Sequence, residues 1–260
     1  MSRSFKALAA VCAVAAMTAC GSDSSKSAKP SSPAAAPDAK KVDAATASTI
    51  TGKVVLDGTA PAPTPIRTDS DPACAEGNKD GLKSESFVVD NGGLENVFVY
   101  IKDGLGNKYI FDTPTDPVKL DQKGCHYTPH VVGIRVTQPL QIINSDNTMH
   151  NVHGRPEANR EFNFGQMVAG MKNDVTFTVP EVLIPFKCDV HAWMYAYVGV
   201  VDNPYFAVTG SGGKFELKTI PPGTYTIEAV HEKLGHQSQQ VTLGEKDSKE
   251  ITFTFKAPSQ

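Results

Sequence analysis

Cys188-Asp189-Val190-His191-Ala192-Trp193-Met194 sets a thiol, an imidazole and a thioether at intervals of three residues. With one more imidazole these are the donors that hold a single copper ion for electron transfer: two His and one Cys in a trigonal plane, and a weak axial Met. The second imidazole must come from another part of the chain. The best candidate is His150, in Asn144-Ser145-Asp146-Asn147-Thr148-Met149-His150-Asn151-Val152-His153-Gly154, 38 residues before Cys188. An ion that alternates between two oxidation states needs donors that suit both. Thiolate and imidazole do so, while a distant thioether favours the reduced state. The thiol must arrive as thiolate, and a bound metal deprotonates it. One mononuclear copper held by His150, Cys188, His191 and Met194 is therefore the expectation to be met by the scaffold.

That scaffold reads as β throughout. Thr49–Leu56, Phe87–Val89, Glu95–Ile101, His130–Val136, Gln138–Ile143, Asp174–Val179, Ile184–Cys188 and Tyr197–Val201 are short runs rich in β-branched and aromatic residues. Lys108–Phe111 is a further candidate strand, and Lys214–Lys218, Thr224–His231, Gln237–Leu243 and Lys249–Phe255 follow near the C-terminus. No window after residue 48 holds a helical period for three turns, and Cys74 falls in a polar loop. Many short strands broken by Pro, Gly and Asn predict an antiparallel sandwich or barrel.

The N-terminus carries Arg3 and Lys6, then an apolar run from Ala7 to Ala16 that is too short to span a bilayer. Met17-Thr18-Ala19-Cys20 then resembles the cleavage and lipidation box of bacterial lipoproteins, which implies acylation of Cys20 and attachment to a bilayer. Gly21 in place of Asp implies the outer membrane. Residues 1–19 are thus expected to be a signal peptide and 20–47, rich in Ser, Ala, Pro, Lys and Asp, a disordered tether. Export means an oxidising compartment, the periplasm or cell surface, where thiols tend to pair. With Cys12 removed and Cys20 acylated, Cys74, Cys125 and Cys188 remain. Cys188 lies in the His/Met loop and is left unpaired, so Cys74 and Cys125 are expected to form a disulfide. A second metal site using Cys74, Cys125, His126 and His130 is the competing reading. From Cys20 onward the chain has 23 basic and 28 acidic side chains, a net of −5, with no basic patch. That argues against nucleic acid as a partner.

Two family resemblances meet in the chain. Residues 116–203 resemble a cupredoxin of the plastocyanin and amicyanin kind, through Asn144-Ser145-Asp146, His150-Asn151-Val152 and the short Cys-x-x-His-x-x-Met loop. The resemblance implies a Greek-key sandwich, copper on His150, Cys188, His191 and Met194, and a role for Asn151 in tying the two ligand loops together. Residues 48–102 with 204–256 resemble a carboxypeptidase-regulatory or transthyretin-like sandwich, through Ile50-x-Gly52-x-Val54, Gly213-x-Phe215-x-Leu217 and Pro222-Gly223-x-Tyr225. The expected architecture is all-β. A cupredoxin at 116–203 is inserted in, or packed beside, a second small antiparallel sandwich made of 48–115 plus 204–258.

Amicyanin-type loops carry Pro beside the loop His, whereas this chain has Val190 and Ala192. Val190 restores a backbone N–H that could reach the Cys188 sulfur and raise the reduction potential. His191 is expected near the surface, with Ala192, Trp193 and Met194 as an apolar rim for a partner, and Lys187 pointing outward. His153 is three residues from His150 and so faces the other side of the strand. No Ser-His-Asp order and no Gly-rich phosphate loop is present, so the chain is expected not to be an enzyme. The resulting expectation is an electron carrier serving a redox partner such as a cytochrome c or a membrane oxidoreductase. A copper-delivery protein and a metal-free surface scaffold are the alternatives.

Overall fold

Alternation decides which side chains turn inward. In Leu140–Asn144 and in His150–Gly154 every second residue is buried and those between are half exposed, the period-2 pattern of a strand with one face on a core. The computed structural model describes residues 36–259, and there the chain is all-β apart from two short helical turns. The signal segment 1–19 and Cys20 lie outside the described residues.

Four larger sheets form two packed pairs. In the first pair, one sheet runs Lys214–Ile220, Ser48–Asp57, Gly93–Leu94, Val89–Asp90, with Ser248–Lys256 also pairing with Ser48–Asp57; the other runs Phe206–Val208, Phe98–Asp103, Gly223–His231, Gly235–Leu243. Their common core draws on both ends of the chain, from Ile50 to Leu105 and from Tyr205 to Phe255. The second pair consists of Lys172–Val175, Leu140–Asn144, Val118–Gln122, Tyr127–Thr128 on one side and Phe162–Gln166, His150–Gly154, Glu181–Lys187, Tyr195–Val201, Val131–Arg135 on the other. These two sheets form the second sandwich, which spans the stretch that the sequence likens to a cupredoxin, and Cys188 and Met194 sit in its core with Leu120, Ile142 and Phe186. Parallel pairings occur in both pairs, as between Ser48–Asp57 and Ser248–Lys256 and between Tyr195–Val201 and Val131–Arg135. Three of the four sheets are therefore mixed, and only the one through Phe98–Asp103 and Gly223–His231 is antiparallel throughout.

Where the two sandwiches meet, Gly199 and Gly133 stand opposite each other in register. A Cβ on either would lie within 2.5 Å of an aromatic ring, Phe98 for Gly199 and Phe206 for Gly133. Glycine is required there because the rings rest directly on the backbone.

The structure departs from the sequence expectations in three places. Pro72–Gly77 is a short helix: Asp71 is its N-cap, accepting from the N–H groups of Ala73 and Cys74, and Pro72 supplies a pre-set φ in the first turn. Lys108–Phe111 is not a strand. Instead Tyr109 forms an isolated bridge with Lys40, and Ala36 N–H donates to the Asn107 carbonyl. Over 36–40, then, the chain lies hydrogen-bonded against 107–110 rather than free in solvent.

His231 shows what burial does to a titrating group in the first core. It is 2% exposed, packs on Phe87 and Phe255, and its Nδ1 accepts the Lys233 N–H. Burial holds its pKa down, at about 4 against an ordinary 6.5. Above pH ~6.5 both folded and unfolded chains keep it neutral; between ~6.5 and ~4 only the unfolded chain takes the proton. Stability should therefore fall as pH falls through that window, by on the order of 3 kcal/mol from this group. Urea unfolding at pH 7 and pH 4.5 should show a smaller loss in His231→Gln than in the parent, and an equal loss would contradict the assignment.

Candidate metal centre

The hairpin Glu181–Lys187 and Tyr195–Val201 is closed by the heptad Cys188–Met194. The Cys188 N–H donates to the Met194 carbonyl at 3.2 Å and the Met194 N–H to the His191 carbonyl at 2.9 Å, which closes the loop tightly. Strand His150–Gly154 lies beside Glu181–Lys187, with His153 opposite Lys187, and so brings His150 to the loop. The three donor groups converge. His150 Nδ1 and His191 Nδ1 are 3.0 Å apart, Cys188 Sγ is 3.8 Å from His191 Nδ1, and all three residues are buried. Met194 is buried in the same core as Cys188. Cys188 is the free cysteine among the described residues, and Cys74 and Cys125 form a disulfide. Closing that loop contributes about 4 kcal/mol in the chain-entropy account.

Each imidazole is held from behind by a carboxylate. His150 Nε2 meets Asp146 Oδ2 at 2.9 Å and His191 Nε2 meets Asp71 Oδ2 at 3.2 Å. Asp146 also accepts the N–H groups of Gly124 and Cys125, both at 2.7 Å. Asp71 accepts those of Ala73 and Cys74 and the Thr148 hydroxyl. Each half of the disulfide is thus joined through one aspartate to one imidazole. For both carboxylates burial would raise the pKa, but these hydrogen bonds outweigh it and hold the groups below their usual range. An ionised carboxylate only accepts, so both Nε2 atoms carry the proton and the Nδ1 atoms face the shared space.

The electrostatics agree with that arrangement. Burial would raise the Cys188 thiol, yet hydrogen bonds from His150 and from the backbone N–H groups of Asn151, His191 and Val190 hold it below its usual value. The Asn151 and His191 N–H groups lie 3.3 Å and 3.4 Å from the sulfur. Burial lowers His191, while His150, despite burial, is raised to about 9 by Asp146 and the Cys188 sulfur. Positive charge between the donors is therefore favoured. Asn151 Oδ1 accepts the Asp189 N–H at 3.1 Å, which ties the strand of His150 to the loop of Cys188.

Some expected positions need correction. His191 does not approach the surface: it is 3% exposed, with Asp71 and Cys74 at its Nε2 and the Trp193 ring 5.1 Å away. Met194 is buried and the Trp193 indole N–H is bound to the Cys125 carbonyl, so they do not form an open rim. The exposed large hydrophobic side chains of this sandwich are Met149, Met167, Val168, Val190 and Tyr195. His153 faces outward between Glu161 and Asp189, and Lys187 pairs with Asp189 at 2.7 Å. His126 and His130 join no metal-ligating cluster among the described residues. Sequence reading missed Asp71 and Asp146. Asp71-Pro72 is itself a helix-start signal, and Asp146 lies in the loop that delivers His150.

No protein-family model matches the chain, and no curated protein matches it. Several solved structures resemble parts of it. A copper-containing nitrite reductase from Thermus scotoductus SA-01 is 21% identical with a TM-score of 0.31, over 37% of this chain and 24% of that one. A variant of amicyanin is 21% identical with a TM-score of 0.30, over 32% of this chain and 80% of that one. A purple cupredoxin from Nitrosopumilus maritimus is 19% identical with a TM-score of 0.28, over 32% of this chain and 97% of that one. The chain spans only 24% of the length of the nitrite reductase. One expectation is corrected by this set. The sequence pointed away from an enzyme, but the matched structures include one, the nitrite reductase, so the fold does not exclude catalysis. At such low scores the likenesses carry no weight about individual residues, which rest on the geometry above.

Carboxylates behind metal-ligating imidazoles orient the ring and raise its basicity, and their loss typically costs 10- to 100-fold in metal affinity. Asp146→Asn and Asp71→Asn should each weaken copper binding by about that factor in chelator competition. Glu161→Gln, whose partner His153 lies outside the cluster, should leave it unchanged. Equal affinity in all four proteins would contradict the role of the aspartates.

Proposed function

We propose that His150, Cys188 and His191 hold one copper ion, with Met194 as the weak axial donor, and that the protein carries single electrons between redox partners. The observation that carries this reading is the pair of imidazole Nδ1 atoms 3.0 Å apart beside a buried free thiol, each ring fixed from behind by a carboxylate. The donor set fits the ion: once a metal displaces the proton held by His150, two imidazoles and a thiolate are borderline and soft ligands suited to copper in either oxidation state. Bound there, copper supplies a one-electron couple at a site that need not rearrange.

The chain's own residues supply the rigidity. Asn151 ties the two ligand loops, and the Asn151 and His191 N–H groups stabilise negative charge on the Cys188 sulfur. The packed core around Cys188 and Met194 leaves little room for ligands to shift. Delivery of copper to another protein is the less favoured reading, because all three donors are buried and His191 is covered by a helix pinned by a disulfide. In the same proposal, the cupredoxin at 116–203 is inserted into a carboxypeptidase-regulatory-like sandwich of 48–115 plus 204–258. The separate cores support this, although Cys74 contributes to the inner one. Acylated Cys20 would anchor the protein to the outer membrane on its periplasmic or outer face, where a cytochrome c or a membrane oxidoreductase would serve as partner. The export-type N-terminal sequence supports that placement.

Copper(II) added to the metal-free protein should give an intense visible thiolate-to-copper band that saturates at one equivalent, and Cys188→Ala should lose it. A weak absorption with tight copper(I) binding would favour delivery. Absence of stoichiometric binding, or a band that survives in Cys188→Ala, would overturn the proposal.

A further inference from the structure

Beside the metal centre, and separate from it, a cavity of about 400 Å³ opens between the end of the Cys188–Met194 loop and the turn at Glu232-Lys233. Its volume falls in the range of small-molecule sites. One wall is aromatic, made by Trp193, Tyr195 and Tyr197, and Ile66 and Leu82 add apolar surface. At its polar end Glu232 Oε1 meets His130 Nε2 at 2.6 Å, with both side chains almost wholly buried. Lys233 Nζ lies 3.2 Å from Glu232 Oε2. His130 stands edge-on to the Tyr197 ring, which fixes that end of the wall.

These groups narrow the ligand chemistry. Burial would raise the Glu232 carboxyl, but His130, Tyr197 and Lys233 hold it at about 2, so it is ionised and acts only as an acceptor. Its charge is already met by Lys233, and the other charged lining residues, Lys83 and Glu85, are of opposite sign, so the lining favours neither a cationic nor an anionic ligand. A neutral molecule with a hydroxyl to donate suits such a lining. Flat aromatic walls favour a planar ring, which gains stacking contacts that a puckered one does not. Trp193 itself lies against His191, with ring centroids 5.1 Å apart. A ligand on its other side would be one side chain from the metal centre.

We propose that this cavity binds a small neutral planar phenol of the hydroquinone class, stacked against Trp193 and Tyr195 with a hydroxyl at the polar end marked by Glu232 and Lys233. Binding rests on the cavity alone and does not require the copper assignment. Trp193 is the single tryptophan of the chain, so its fluorescence reports on the cavity wall directly.

The test is titration of the full chain with hydroquinone, metal-free, followed by Trp193 emission and by calorimetry. Saturable 1:1 binding is expected, about 10-fold weaker in Tyr195→Ala, whose ring is 46% exposed and so removable without unfolding the core. Met167→Ala, outside the cavity, should bind as the parent does. Cyclohexane-1,4-diol, with the same hydroxyls but no flat ring, should bind at least about 10-fold more weakly than hydroquinone. Linear, non-saturating quenching that Tyr195→Ala leaves unchanged would overturn the proposal, as would choline binding as tightly as hydroquinone. Because metal is absent throughout, failure here leaves the visible-band test of copper untouched, and failure there leaves this one standing.

Discussion

Two buried imidazoles facing each other Nδ1 to Nδ1 at 3.0 Å form the constraint on which the rest of the site depends. Neutral rings so placed would set lone pair against lone pair, and a cation between them relieves that. The geometry persists because neither ring can turn. Asp146 and Asp71 take the opposite nitrogens, and each aspartate is itself fixed by backbone N–H groups at one half of the Cys74–Cys125 disulfide. Hydrogen bonds to an ionised group are stronger than neutral ones, and burial strengthens them further by lowering the local dielectric.

The sandwich provides what the aspartates cannot. A strand and a hairpin turn bring His150 to Cys188 from positions 38 residues apart in the chain, and period-2 burial points His150 inward while His153 turns to solvent. The short helix Pro72–Gly77 covers the imidazole edge of His191 and carries Cys74 into the inner core. Cover and site are therefore continuous. A residue from the strand-poor stretch between Asp57 and Val89 becomes part of the surroundings of His191. The accessible ground beside the site is therefore the cavity flanked by Trp193, together with the exposed side chains of Met149, Met167 and, in the loop itself, Val190.

Much of this was legible in the sequence, for local reasons. The Cys188–His191–Met194 spacing lies within one turn between strands, and His150-Asn151 sits in a strand whose alternation is plain. The disulfide followed from counting thiols in an oxidising compartment. What escaped was non-local or too short. A six-residue helix gives no period to detect, although Asp71-Pro72 marks its start. The burial of His191 depends on Asp71, 120 residues away, and no spacing in the loop foretells it. The close rest of Phe98 on Gly199 joins two sandwiches that the sequence presents as separate patterns.

The central claim is that copper lies between one sulfur and two imidazole nitrogens in this protein. X-ray absorption at the copper edge of the loaded protein measures it most directly. The account predicts an inner shell of one short sulfur and two imidazole nitrogens, with the sulfur gone in Cys188→Ala. An inner shell of nitrogen and oxygen alone in the parent protein would contradict it.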